Sequence, residues 1–232
     1  MPLYEHDPDV NNRFIIFDMF GTLVTSRQKD MDDLFSVFYG LFPEQTPEAI
    51  EKEYEDFCLD FQASHGKYSE MSVIMLIRHL NQRFGTDVDS LRAEEAMMRG
   101  TRMFYAIDGA IDTLRYFKDR GYRIGVLSNT TYRSSVVRGV LEDSGFSGLL
   151  DSVMTSADIG FKKPSDEAYS AAVSSLGAEK YDCFFVGDSC LKDCKGPLEF
   201  GMRGAFLIDP ASVGKRDYIV AEISEIPTRF SD

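Results

Sequence analysis

Four short polar segments of the chain carry residue types that can do chemistry on an anionic or electrophilic substrate. They are FDMFGT with Asp18, VLSNT with Ser128 and Asn129, GFKKP with its two lysines, and GDSCLKD with Asp188 and Asp193. A carboxylate can act as a nucleophile or bind a metal ion, and a lysine or hydroxyl can hold an anionic group. The four segments therefore form a candidate active site, provided that the fold brings them together.

The elements that must position these segments alternate between short β-runs and helices. Strands are predicted at 13–18, 123–128, 151–155, 183–187 and 205–208, with helical patterns between the later ones. Such alternation is typical of a parallel sheet with helices on both faces. We therefore expect an α/β fold with a Rossmann-like, doubly wound, mostly parallel sheet. The carboxyl ends of its strands would gather the four polar segments at one edge.

The stretch after the first strand has a different pattern. Apolar residues recur at helical spacing from Met31 onward, and Asp89 suits the N-cap of the last of four helices. No convincing strand is visible among them. The sequence predicts an all-helical domain inserted at residues 27–103, in a core formed by residues 1–26 and 104–232.

The composition excludes several classes of partner. The chain has 232 residues, of which 44% are hydrophobic and 27% charged, and its formal net charge is −13. An acidic protein does not attract nucleic acid or anionic membranes. No apolar run approaches the roughly 20 residues of a membrane span. The N-terminal segment lacks a signal-peptide core and the four cysteines form no disulfide pattern, so we expect a cytoplasmic protein. The oligomeric state is left open.

The four segments resemble the motifs of the haloacid dehalogenase superfamily of hydrolases, most of which are phosphatases. DMFGTL is similar to the first motif, usually Asp-x-Asp-Gly-Thr, and VLSNT to the second. GFKKP is similar to the third, and GDSCLKD to the fourth, an acidic metal-binding loop. Each motif alone is weak evidence, but their order on the expected elements is specific. The resemblance also implies that the inserted helices form the family's cap domain.

The resemblance implies a metal-assisted reaction at the first and fourth motifs. Asp18 would be the nucleophile, attacking phosphorus to give an aspartyl phosphate. Mg²⁺ would bind the Asp18 carboxylate, the backbone carbonyl of Phe20, and Asp188. Asp193 would hold a metal-bound water or orient a lysine. The substrate would be a small phosphorylated molecule.

The remaining motif residues would hold the transferring group. Lys163, which directly precedes a proline as in the family pattern, would supply a positive charge, and the other lysine of GFKKP is the alternative. The Ser128 hydroxyl would bind phosphoryl oxygens together with backbone N–H groups of the first loop, and Asn129 belongs to the same catalytic segment. Gly21 would allow close backbone approach, and Thr22 would orient the loop.

Phe20 departs from the usual first motif. In that motif a second Asp protonates the leaving group and then activates water, and such catalysis is typically worth about 10²- to 10⁴-fold in rate. Three interpretations remain: a phosphatase or phosphotransferase that uses a good leaving group or an acid from the cap, a 2-haloacid dehalogenase-type hydrolase, or a catalytically weak protein that binds phosphorylated ligands. An aromatic residue here favours halide release. The retained acidic loop favours the first interpretation, because halide-releasing relatives do without metal.

The inserted helices are expected to cover the site and select the substrate. In relatives of this architecture the turn between the second and third cap helices faces the site. This turn corresponds to residues 63–69, in which His65 and Lys67 are candidate substrate contacts. A solvated loop is the nearly equal alternative, since loops are polar by default.

Overall fold

The computed structural model describes residues 13–28 and 34–230. The N-terminal dodecapeptide and Met31 lie outside the described residues. The strands are Phe14–Phe17 (β1), Val24–Gln28 (β2), Arg102–Ala106 (β3), Arg123–Ser128 (β4), Ser152–Thr155 (β5), Cys183–Gly187 (β6), Gly204–Ile208 (β7) and Ile219–Val220 (β8). The α-helices are Leu34–Leu41 (α1), Pro47–Ser64 (α2), Val73–Phe84 (α3), Ser90–Thr101 (α4), Ala110–Asp119 (α5), Ser134–Leu141 (α6), Ser156–Ile159 (α7), Asp166–Ser175 (α8) and Gly196–Phe200 (α9). Turns of π-helix cover Glu142–Phe146 and Cys190–Lys195, and 3-10 turns cover Lys180–Asp182, Pro210–Ser212 and Ile223–Arg229.

Six strands form a parallel sheet in the order β5-β4-β1-β6-β7-β8. The first strand lies in the middle, where Phe17 pairs with Val126 of β4 on one side and Val186 of β6 on the other. The chain extends the sheet from β1 toward β5 and then crosses back to β6. This order confirms the predicted doubly wound α/β fold and creates a reversal point at the carboxyl end of β1.

Helices cover both faces of this sheet, which explains why its strands are mostly apolar. Ile15 and Phe17 of β1 point into a core shared with α5 and α6, whereas Phe14 and Ile16 point into a second core shared with α8. All four of these side chains are buried. A strand buried on both faces cannot show the alternating pattern of a half-exposed one, so an unbroken apolar run precedes Asp18.

The four cap helices have a hydrophobic core of their own, which includes Phe38, Ile50, Val73, Leu80 and Met97. The side chain of Asp89 caps α4, accepting hydrogen bonds from the backbone N–H groups of residues 91 and 92. In the described part of the chain, no helix combines the length and apolar character that crossing a bilayer demands. The cysteines are all free thiols.

A two-stranded antiparallel ribbon of β2 and β3 is absent from the sequence prediction. Val24 pairs with Ala106 and Gln28 with Arg102, so the predicted cap limits at 27 and 103 fall inside its two strands. The expectation that no strand would occur between 29 and 103 was therefore wrong at its last residues. The ribbon gives little sequence signal because it joins two distant segments and Met103 and Tyr105 are exposed. Both connections between cap and core run side by side through it.

Candidate active site

The polar segments converge at the carboxyl edge of the sheet. Asp18 directly follows β1, Ser128 ends the neighbouring β4, and Asp188 directly follows β6 on the other side. The backbone N–H of Asp18 donates to the carbonyl of Val186 on β6 at 2.8 Å. This hydrogen bond continues the pairing of β1 with β6, so the sheet fixes the backbone position of Asp18. The crevice at such a reversal point is the usual ligand site of open parallel sheets.

Lys163 joins the third segment to two of the acids. Its Nζ lies 2.7 Å from Asp18 Oδ1 and 2.7 Å from Asp193 Oδ1, and the lysine side chain is 1% exposed. Burial by itself would lower the pKa of Lys163, but Asp18 and Asp193 together raise that pKa above its ordinary value. The structure therefore holds the lysine as a buried cation between two carboxylates. Lys162, its neighbour, is only partly buried.

The three acids form a crowded oxygen cluster. Oxygen atoms of Asp18, Asp188 and Asp193 all lie within 4.8 Å of one another. Burial raises the pKa of Asp18 to about 6, with Lys163 opposing and the other two acids adding to the rise. Burial and the nearby Asp193 also raise the pKa of Asp188. One lysine does not balance three carboxylates, and an all-oxygen set of this size fits a hard cation such as Mg²⁺.

Two glycines make room for these acids. A Cβ on Gly21 would lie 2.1 Å from Asp188 Oδ2, and its φ of +79° is itself unfavourable for other residues. A Cβ on Gly187 would lie 2.4 Å from the Asp193 side chain. The close approach assigned to Gly21 from the sequence is therefore an approach to Asp188. The role of Gly187 was missed, although it is the first residue of the fourth segment.

The second segment supplies one positioning group and one free hydroxyl. The Asn129 amide donates to the carbonyl of Lys163 at 2.9 Å, and its Oδ1 accepts from the Lys163 N–H at 2.8 Å. Asn129 thus holds the backbone of the buried lysine. The hydroxyls of Ser128 and Thr22 are buried without a hydrogen-bond partner among the described residues. Buried hydroxyls are normally hydrogen-bonded, so the Ser128 hydroxyl is available to donate a hydrogen bond to an oxygen of a bound ligand.

Comparison with known proteins gives a family match for most of the chain. Residues 13–201 match the model of a family described as haloacid dehalogenase-like hydrolase. The chain belongs to this family. It is therefore an enzyme, and its reaction class is hydrolysis.

Relatives of this haloacid dehalogenase-like hydrolase include both phosphatases and dehalogenases. A hydrolase of Schizosaccharomyces pombe is 32% identical over 197 residues, 78% of this chain and 84% of that protein. A phosphatase of Mycobacterium tuberculosis is 32% identical over 138 residues, covering 58% of this chain and 61% of that protein. The solved 2-haloacid dehalogenase of Pseudomonas syringae has a TM-score of 0.64 at 16% identity, covering 94% of this chain and 97% of that one. This last likeness shows a shared fold.

Phe20 of the hydrolase lies against the ribbon. Its ring centroid is 6.0 Å from that of Phe104 on β3, and both rings pack against the sheet core. The residue two positions after Asp18 therefore contributes an apolar contact and no proton donor. The contact between Phe20 and Phe104 could not be predicted from the sequence. The two residues are more than 80 positions apart, and the helical pattern of the cap lies between them.

The cap turn with His65 and Lys67 lines a cavity of about 420 Å³. Lys162, Glu70, Phe61 and Cys58 also line it, so the cavity lies between cap and core. The N–H of Lys162 donates to the carbonyl of Tyr68 at 2.8 Å, which ties the turn to the segment carrying Lys163. His65 and Lys67 are exposed. The structure brings them beside Lys162, while Asp18 and Asp188 are not among the lining residues of this cavity.

Proposed function

We propose that this hydrolase is a Mg²⁺-dependent phosphatase or phosphotransferase that acts on a small phosphorylated metabolite. The observation that carries the proposal is the cluster of Asp18, Asp188 and Asp193 around Lys163. A carboxylate that approaches a phosphate dianion is repelled, and a bound Mg²⁺ would reduce this repulsion. Displacement of a halide from carbon involves no phosphate dianion, so it does not need a bound cation to reduce such repulsion.

The residues of the site suit a two-step reaction. An Asp18 oxygen attacks phosphorus and forms the acyl phosphate bond, while the bond from phosphorus to the leaving oxygen breaks and its electron pair departs with that oxygen. Lys163 and the free Ser128 hydroxyl stabilise the charge on the transferring oxygens. Water then attacks the aspartyl phosphate, which releases phosphate and a proton and restores Asp18. An alcohol in place of water gives phosphotransfer.

Phe20 narrows the substrate class. With an apolar ring packed on Phe104, this position offers no proton to the departing oxygen. Unless an acid from the cap replaces it, the leaving group must then be stable as an anion. Acyl phosphates and aryl phosphates meet this requirement, whereas alkyl phosphates require proton donation.

Release of halide from a 2-haloacid is the second candidate, and the same Phe20 favours it. A halide leaves as an anion without a proton, so the absence of a general acid at Phe20 would not slow its departure. Asp18 would attack carbon, form an ester while the carbon–halogen bond breaks, and be restored by hydrolysis. The likeness of fold to a solved dehalogenase is compatible with either candidate.

The test compares both reactions on the purified full chain. We expect phosphate release from acetyl phosphate and p-nitrophenyl phosphate with Mg²⁺, loss of that activity with EDTA, and its return on adding Mg²⁺. We expect no chloride from 2-chloropropionate. Chloride release that EDTA does not affect, together with no phosphate release from either compound, would replace the first candidate by the second.

The cavity at the cap turn provides a prediction about substrate binding. If an anionic part of the substrate reaches Lys67 and Lys162, replacing either by alanine should raise KM about three- to tenfold with little change in kcat. The effect is modest because Lys67 is exposed and Lys162 is only partly buried, so water screens both charges. Steady-state kinetics on the best substrate measures this. Lys195→Ala is the matched control, because Lys195 is an exposed lysine paired with Glu199 away from the turn. Unchanged KM in both cavity variants would exclude the turn from substrate binding.

A further inference from the structure

Glu94 is an acid of the cap whose partner lies in the core. It sits on α4 with its side chain 0% exposed. Its Oε1 accepts from the backbone N–H of Arg133 at 2.7 Å, and its Oε2 accepts from Arg133 Nε at 2.6 Å. A buried carboxylate is costly unless it is paired and hydrogen-bonded. Both bonds go to one residue of the core, so the burial of Glu94 depends on the cap and this residue staying together.

Arg133 ends a loop that other cap residues also contact, here called the clasp loop, residues 130–133. The carbonyl of Thr131 accepts from the N–H of Val73 at the start of α3, at 2.9 Å. Tyr132 packs against both the cap core and the sheet core. The N–H of Thr130 donates to Ser156 Oγ at 2.8 Å, and Ser156 in turn donates to cap residue Glu70 at 2.9 Å.

The clasp loop continues directly from the catalytic segment. Ser128 and Asn129 precede it in the chain, and Asn129 brackets the backbone of Lys163 with two hydrogen bonds. Lys163 Nζ contacts Asp18 at 2.7 Å. A short path of covalent bonds and hydrogen bonds thus leads from Glu94 in the cap to the candidate nucleophile.

We propose that Glu94 is a positioning residue, through which the cap holds the clasp loop and so aligns Asn129 and Lys163 with Asp18. The inference rests on the proposed function in taking Asp18 and Lys163 as the reacting pair. It adds that the cap contributes to the chemical step and not only to substrate binding. Cap movement that leaves the clasp loop behind would break the Glu94–Arg133 pair and uncover a buried carboxylate.

The test uses Glu94→Gln, which keeps the shape of the side chain. A glutamine presents an NH₂ group to the donors of Arg133, so at least one of the two bonds is lost. We expect kcat on acetyl phosphate to fall about 10- to 100-fold, as for a small displacement of catalytic groups, with KM within about twofold of wild type. We also expect faster amide hydrogen exchange, resolved by NMR, at Arg133 and at Lys163, whose N–H is held by Asn129.

Glu53→Gln is the matched control. Glu53 is also a cap acid that accepts two hydrogen bonds from one arginine, but that partner is Arg83 within the cap. It should leave kcat and the exchange at Lys163 unchanged. If Glu94→Gln does not fold, Arg133→Lys removes the guanidinium at a side chain that is 31% exposed and should give the same two changes.

Two outcomes would overturn the proposal. One is unchanged exchange at Lys163 in a folded Glu94 or Arg133 variant, and the other is faster exchange with unchanged kcat. The exchange measurement needs no substrate, so unchanged exchange at Lys163 would overturn the proposal even if wild type proves inactive on phosphate compounds. If wild type instead releases chloride from 2-chloropropionate, the kcat comparison is made on that reaction.

Discussion

Replacing Asp18 with asparagine is expected to reduce phosphate release by at least about three orders of magnitude, because the amide cannot form the covalent intermediate. The variant should still fold. Lys163 keeps its 2.7 Å contact with Asp193, and removing one of three crowded carboxylates relieves repulsion in the metal-free site. The melting temperature without metal should therefore equal or exceed that of wild type. Steady-state kinetics and thermal unfolding with EDTA measure the two effects.

Asp151→Asn is the matched control for this variant. Asp151 is an acid of the core domain whose side chain is 26% exposed. It contacts Lys118 and accepts a hydrogen bond from the N–H of Ile124 at 2.6 Å, away from the reacting groups. It should lower the melting temperature and leave turnover intact. Residual turnover above one tenth of wild type in Asp18→Asn would mean that another group is the nucleophile.

Replacing Phe20 with aspartate is expected to raise turnover of alkyl phosphates by about 10²- to 10⁴-fold, the usual contribution of a general acid. Turnover of acetyl phosphate should rise less, because its leaving group needs no proton and only the activation of water in the second step can benefit from the new carboxylate. The contact with Phe104 is lost, and because Phe20 is only partly buried we expect a stability cost of about 1–2 kcal/mol. Parallel assays on glycerol 3-phosphate and acetyl phosphate, with denaturant unfolding, separate the effects.

Phe20→Asn isolates the acid from the loss of packing. It matches aspartate in size but cannot donate a carboxylic proton, so its rate on glycerol 3-phosphate should stay at the wild-type level. Equal rates for the aspartate and asparagine variants would show that a missing acid is not what limits this enzyme. The same pair also addresses halide release, which an added acid should not accelerate.

Much of the core could be predicted from local pattern. The bounds of β4 and β6 agree with the predicted strands at 123–128 and 183–187, and helices connect the later strands as expected. Strands buried on both faces are short apolar runs ended by polar residues, and this pattern depends only on neighbouring positions. The ribbon of β2 and β3 could not be predicted in this way, because its pairing joins segments far apart in the chain.

The sequence by itself determined the doubly wound fold, the presence of an acid or hydroxyl at successive strand ends, and the absence of an acid at Phe20. These features follow from residue types and short-range periodicity. Only the tertiary structure decided which contacts each polar group makes. Lys163 lies between two carboxylates, Asn129 binds the backbone of that lysine, and Gly21 leaves room for the side chain of Asp188. It also decided that Glu94 binds the core and that Phe20 meets Phe104. The physical reason is that these contacts join residues far apart in the chain, so their partners are selected by packing of whole elements rather than by local pattern.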